Sequence, residues 1–389
     1  MAARPRPIRR DAIRLLMTKS TPTTTTFAAV LGRRSDGTFP AAAATLIAIG
    51  IVLAFLDLTV LPYLFREGAT DWRAYDEAAA QLRAHQNPYA WASAVDIRAL
   101  TAYPYLYPPP LAWIWGFGLN ASLWVGLKVA SLAALGLFAV RATPLPRQRI
   151  LLTGALVALA LATPAVIHDL ILGNVMVLYL AAFAVLAAFP DRRWAVVPLG
   201  ILIAVAFKPL VAAIAVWLLV RDRARLLDLA AVSVALTIAF AVLIGPGAYL
   251  DYLVALPKLG GLAQPFSGNL GLSGVSQPLA FVAIPIALGW AAIAGQRLPA
   301  ELGLAVAIGL TLIAQPTLGL NYAAVLIPAI ILLWRSNRPA GLLLGVTLPL
   351  ISIFSPPVAG LVIAATGTIV GSRRRPAADP VSAPASALA

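Results

Sequence analysis

Apolar residues run in long blocks along this chain, and short polar or basic turns close each block. A helix that crosses a bilayer needs about 20 apolar residues, fewer when it is packed inside a bundle. On that measure spans are predicted near 41–64, 121–140, 150–166, 174–189, 194–207, 209–220, 228–246, 279–294, 299–314, 322–334, 341–354 and 358–371. Twelve crossings set both termini on the same side. Residues 194–220 read either as one long helix or as two short ones. Basic residues on both flanks (Arg192/Arg193 and Arg221/Arg223/Arg225) favour two helices turning at Lys208-Pro209. Proline there removes a donor and disfavours helix just before it.

The opposite side then carries two long loops, 65–107 and 247–278, with short turns around 167–173, 315–321 and 355–357. Inside the first loop, Trp72, Tyr75, Ala79 and Leu82 fall at helical spacing, with Arg73, Asp76, Glu77 and Arg83 elsewhere. The pattern predicts an amphipathic helix lying on the membrane surface, with an Arg73–Glu77 pair one turn apart. Residues 1–40 are basic and rich in Ser and Thr, without the short apolar core and cleavage site of a signal peptide. They read as a cytoplasmic tail, and 372–389, rich in Pro, Ala and Ser, as a second, disordered one. The integral membrane domain is expected over 41–371.

Composition sharpens this. Hydrophobic residues make up 61% of the 389 positions and charged residues 11%, where a soluble domain needs nearer 25% to wet its surface. There is too little polar material to cover a globule, so lipid is expected to solvate the chain. The absence of cysteine excludes disulfides, thiolate zinc sites and cysteine catalysis, and two histidines, His85 and His168, exclude a histidine-rich metal cage.

The net charge of +14 comes from 29 Lys and Arg against 15 Asp and Glu. Most of those basic residues cluster in the tails and in the turns on one side of the predicted bundle. By the positive-inside rule this is an orientation signal, with both termini cytoplasmic, and not a nucleic-acid footprint. The loops on the outer side are close to neutral. Arg greatly outnumbers Lys and Ala is abundant, which suggests a GC-rich bacterial source.

The string from Asp71 reads D-W-R-A-Y-D-E-A-A-A-Q-L-R-A-H-Q-N-P-Y, followed at Tyr103 by Y-P-Y-L-Y-P-P-P. It resembles glycosyltransferase family 87, membrane mannosyltransferases of the GT-C fold that use polyprenyl-phosphate-mannose. Asp71, Tyr75, Ala78/Ala79, Leu82, Pro88/Tyr89 and Tyr107/Pro108/Pro109 fit that family's first outer loop in order. Leu170–Asn174 looks like its Gly-Gln turn, and Ala204–Pro209 is similar to its Ala-rich run ending in Lys-Pro. The resemblance covers about 45–335. There are departures: Asn174 stands where the family has Gln, and the turn Gln315–Tyr322 lacks a histidine. An Asn-x-Ser segment survives loosely in Asn269–Ser273.

The resemblance implies an all-α GT-C-like bundle that moves a hexose, mannose by analogy, from a polyprenyl phosphate carrier to a glycolipid or glycan acceptor. The active site would face outside the cell membrane. Inverting transfer needs a base on the acceptor hydroxyl and positive charge on the leaving phosphate. Asp71, just outside the membrane, is the candidate base. The competing reading is a helix cap by Asp71 or Thr70; capping by Thr70 leaves Asp71 the freer base, since helix-start N–H groups weaken a carboxylate.

Lys208 is the candidate donor-phosphate ligand, against a lysine snorkelling to the interface. Lys128 reads either as a second phosphate ligand or as the partner of Asp57 in the first span. Tyr75, Tyr107, His168, Asn174, Asn269 and Asn321 are the candidate substrate-binding residues. No Asp-x-Asp pair, Walker loop, G-x-S-x-G or zinc spacing occurs, so neither cofactor nor metal is expected. The alternative function is a twelve-helix transporter or lipid flippase, which would keep its polar groups near the midplane of repeated, broken helices. A third reading is a non-catalytic scaffold.

Overall fold

The computed structural model describes residues 70–93, 104–139, 153–154, 157–259 and 269–373. The predicted first span, Asp57 and both predicted tails apart from Ser372 and Arg373 lie outside these residues. Everything regular in the described chain is helical, so the protein is all-α. In chain order the helices of eight or more residues are α1 (Thr70–Arg83), α2 (Pro109–Gly116), α3 (Ala121–Ala139), α4 (Pro164–Leu172), α5 (Met176–Ala188), α6 (Val197–Ala206), α7 (Ala212–Arg221) and α8 (Arg223–Ile244). There follow α9 (Pro246–Leu259), α10 (Gln277–Arg297), α11 (Ala300–Ala314), α12 (Ile327–Ser336), α13 (Arg338–Phe354) and α14 (Pro356–Arg373). Short 3₁₀ segments lead into α6, α7 and α12 at Arg193–Val196, Pro209–Val211 and Leu320–Leu326.

Proline and capping side chains set many of these boundaries. Pro109 and Pro164 open α2 and α4 at a position where no N–H is needed. Asp222, Ser276 and Asn337 each accept a hydrogen bond from the backbone N–H three residues on, starting α8, α10 and α13. Residues 193–221 are two helices, broken where Lys208 is extended (φ −136°, ψ 136°) before Pro209.

Helix ends show how the chain folds back on itself. Arg193 makes a bidentate pair with Asp228, and Arg225 bonds both Asp222 and the Pro190 carbonyl. Arg221 reaches the Leu298 carbonyl, and Arg335 pairs with Glu301. The basic turns at 190–193, 221–225, 297–301 and 335 therefore neighbour one another in successive pairs. Lys208, the opposite end of α6 and α7, instead meets Tyr322 beyond the opposite end of α11. Basic turns and Lys208 are thus separated by the length of the helices between them, about 20 Å for a 14-residue segment.

Between these ends the helices pack on small residues. α11 and α14 approach most closely where Gly309 faces Gly360: a Cβ on Gly309 would lie 2.7 Å from the Gly360 carbonyl oxygen and 2.9 Å from Ile363. Glycine lets two backbones touch, as membrane helix pairs often do. Gly309→Ala is expected to force the pair apart at a cost of about 1–3 kcal/mol, seen as a lower Tm of the detergent-purified protein.

The outward faces are apolar. α8 exposes Leu227, Val234, Ile238, Val242 and Leu243, and α10 exposes Phe281, Val282, Ile286 and Ile293. Water would not tolerate so continuous a patch. Among the described residues α8 and α10 are long and apolar enough to cross a membrane, and α2 with α3, joined at 113°, would add a third as one broken span.

Four sequence expectations change. The loop helix α1 does not lay its apolar face on lipid: Tyr75, Ala78 and Ala79 are buried against α2 and the aromatic residues beyond it. Arg73 and Glu77 form no ion pair. The turn predicted at 167–173 is mostly helix, because Pro164 starts α4 and Asp169 finds its charge partner inside the protein. Within the predicted loop 247–278, residues up to Leu259 form α9, which buries Tyr252 and Ala255 and exposes Leu250, Leu253 and Val254.

Candidate functional site

The site begins with Asp71 in the first turn of α1. Its Oδ2 accepts a hydrogen bond from Asn174 Nδ2 at 2.6 Å. The partner is thus a side chain from the α4–α5 turn and not the N–H groups of Asp71's own helix, which sets the simple capping role aside. That turn is shaped by Gly173, whose φ of +80° lies in the left-handed region that glycine tolerates. A Cβ there would sit 2.5 Å from the Trp72 ring. Two indoles pin the turn: Trp72 donates to the Ile171 carbonyl and Trp124 to the Gly173 carbonyl, both at 2.8 Å.

Lys128 and Asp169 lie behind the turn. Lys128 Nζ donates to Asp169 Oδ2 at 2.8 Å and to the Asp169 carbonyl at 3.0 Å, with both side chains fully buried. The partner of Lys128 is therefore Asp169, where the sequence left open a role as donor-phosphate ligand or as the partner of Asp57, which lies outside the described residues.

Lys208 is held differently. It donates to the Tyr322 hydroxyl at 2.8 Å, and its Nζ lies 4.8 Å from the ring centres of both Tyr107 and Tyr322. Aromatic faces attract a cation without neutralising it. Among the described residues no carboxylate comes within ion-pair distance of Lys208.

The Tyr/Pro run packs against Lys208 and Tyr75. Tyr105 donates to the Pro108 carbonyl and accepts from the Ala112 N–H, clasping the run onto α2. Tyr89 donates to the Tyr107 carbonyl, and Tyr75 packs edge-on against Tyr107 at 5.6 Å.

Burial pushes the Asp71 carboxyl above the ordinary carboxylate range, while Lys208 and the Asn174 hydrogen bond pull it back down. Asp71 and Lys208 nonetheless keep part of their surface exposed. The carboxylate and the ammonium feel each other's charge and are not joined in a salt bridge.

The other predicted residues fall in three places. Asn321 is buried immediately before Tyr322, at the start of the 3₁₀ segment. His168 is buried in α4, one residue before Asp169. Asn269 belongs to a separate tie: its Oδ1 accepts from Gly271 and Leu318, and its Nδ2 donates to Ser273. Ser273 in turn donates to the Pro316 carbonyl, so this tie fastens 269–273 to the turn before Asn321.

Sequence reasoning missed Tyr322 as a partner of Lys208, and Trp72 and Trp124 as pins of the turn. Trp72 is adjacent to Asp71 in the motif, which was the available hint. Among the described residues no three His, Asp or Glu side chains gather where a metal ion could bind.

No family model, curated protein or solved structure matches this chain.

Proposed function

We propose that the protein is a polytopic membrane glycosyltransferase of about twelve crossings. It would transfer a hexose, mannose by the family resemblance, from a polyprenyl phosphate to a glycolipid or glycan acceptor on the outer face. The observation that carries this is that Asp71 and Lys208, from distant motifs, come near enough to feel each other's charge without forming a salt bridge. A carboxylate there serves as base, and a cation with no carboxylate partner among the described residues serves an anionic leaving group. The apolar outer faces of α8 and α10 support the lipid setting, and the separation of basic turns from Lys208 supports the orientation.

In this reading the acceptor hydroxyl donates its proton to Asp71 as its oxygen attacks the anomeric carbon. The bond from that carbon to the phosphate oxygen breaks with inversion, and Lys208 meets the charge that develops on the departing polyprenyl phosphate. The proton leaves Asp71 for water afterwards. Desolvation raises the proton affinity of Asp71, while Lys208 and the Asn174 hydrogen bond favour its ionised form. Tyr107, whose ring lies under Lys208, and the buried Tyr75 packed against it would back the donor side of the site.

The test is transfer by the purified protein from radiolabelled polyprenyl-phosphate-mannose to extracted membrane lipids, with labelled glycolipid as the expected product. Lys208→Ala is expected to raise the donor KM by about ten- to a hundredfold, the worth of a hydrogen bond to a charged group. An unchanged donor KM returns Lys208 to a snorkelling role. Solute counterflow in liposomes, with no transfer, would make the protein a transporter.

A further inference from the structure

We propose that the buried Lys128–Asp169 pair is a positioning clamp for the Gly173–Asn174 turn, holding the Asn174 amide on Asp71, and that Lys128 makes no contact with the donor. The role assigned to Asp71 rests on the transferase reading; the clamp itself does not.

Asp169 is wrapped by the turn it holds. Its carbonyl accepts from the N–H groups of Gly173 and Asn174 and from Lys128. Its carboxylate accepts from Met176 and Val177, the first N–H groups of α5, and again from Lys128. One residue thereby ties the end of α4, the turn and the start of α5. Lys128 has no face left for a phosphate. Two of its bonds go to Asp169, and the Trp72 and Trp124 rings lie 5.9 and 5.6 Å from its Nζ.

Those same two indoles hold the Ile171 and Gly173 carbonyls, so the lysine, the rings and the turn form one unit. On its front face Asn174 offers a single amide to Asp71, while its Oδ1 is held by the Val175 N–H. With the oxygen fixed, the amide nitrogen is the end that points at Asp71.

The groups that face Asp71 are Lys208, Lys128, Asp169, Tyr75 and Tyr107. The double variant Lys128→Met/Asp169→Asn removes one charge of each sign and keeps a side-chain oxygen to cap α5. Any change at Asp71 then reports mainly on geometry. The probe is dicyclohexylcarbodiimide, which modifies protonated carboxyl groups, with labelling at Asp71 followed by peptide mass spectrometry across pH on the full chain in nanodiscs. No substrate is needed.

The Asn174 hydrogen bond lowers the Asp71 pKa, so losing it extends labelling to higher pH. Asn174→Ala and the double variant are both expected to move the midpoint upward. In the transfer assay the double variant is expected to lose kcat with the donor KM unchanged. If the double variant does not fold, Trp124→Phe, which deletes the bond to the Gly173 carbonyl and keeps a ring, is judged by the same upward shift.

An unmoved midpoint in a folded clamp variant overturns the proposal. So does a raised donor KM with an unmoved midpoint, which would make Lys128 a donor ligand. Absence of sugar transfer by the wild type would overturn the transferase reading and leave the labelling result standing.

Discussion

Asp71→Asn is expected to slow sugar transfer by about two to four orders of magnitude, the usual contribution of a general base, with Tm and yield unchanged. The substitution is nearly isosteric. The new amide oxygen can still accept from Asn174 Nδ2, so the 2.6 Å contact that joins α1 to the α4–α5 turn survives. Proton acceptance is what is lost. The wild-type pH profile carries the same signature. A base works when ionised, so activity is full at high pH and falls as pH drops through the Asp71 pKa. Burial places that midpoint above the ordinary carboxylate value. The acid limb should vanish from the residual activity of Asp71→Asn. A variant that retained most of its activity would remove Asp71 from the chemistry and leave it a joint between two elements.

Lys128→Met alone is expected to cost about 3–5 kcal/mol of stability, the usual result of stranding one member of a buried ion pair. Asp169 would keep its two backbone donors from α5 but lose its counter-charge in a fully buried position. Thermal unfolding in detergent should show a large fall in Tm. Asp169→Asn added to Lys128→Met should recover much of it, because no charge is then left uncompensated. An unchanged Tm in the single variant would mean that water or lipid headgroups reach Asp169, contrary to its burial.

Helix boundaries were largely legible in the sequence, and side-chain partners were not. Hydropathy and proline placed α5 to α8 and α10 to α14 within a few residues, because each block ends where a cap, a proline or a basic turn stops it. The break at Lys208 followed from Pro209. Polarity misled at 167–173, where His168 and Asp169 suggested a surface turn. A charge satisfied inside the fold looks the same in sequence as one facing water. The period of α1 was readable from Trp72, Tyr75, Ala79 and Leu82, but period gives a face and not what covers it. Protein covers that face, and the exposed apolar helix face beside the site belongs to α9 instead. For the site, Asp71, Asn174 and Lys208 were found as separate motifs. Their meeting, and the part played by Tyr322, required the third dimension.

The Lys128–Asp169 pair also constrains how the chain is made. On the membrane reading, Lys128 is synthesised and presented to the bilayer 41 residues before its partner exists. A lone lysine at mid-helix costs about 2.5–3.5 kcal/mol during insertion, and α3 carries it with no other charged residue. The natural solution is for α3 to wait beside the insertion machinery until α4 arrives, and for the two to enter the lipid together with their charges already joined. On that reading the ion pair would act during biosynthesis as a checkpoint on the order of entry, before there is any turn to hold.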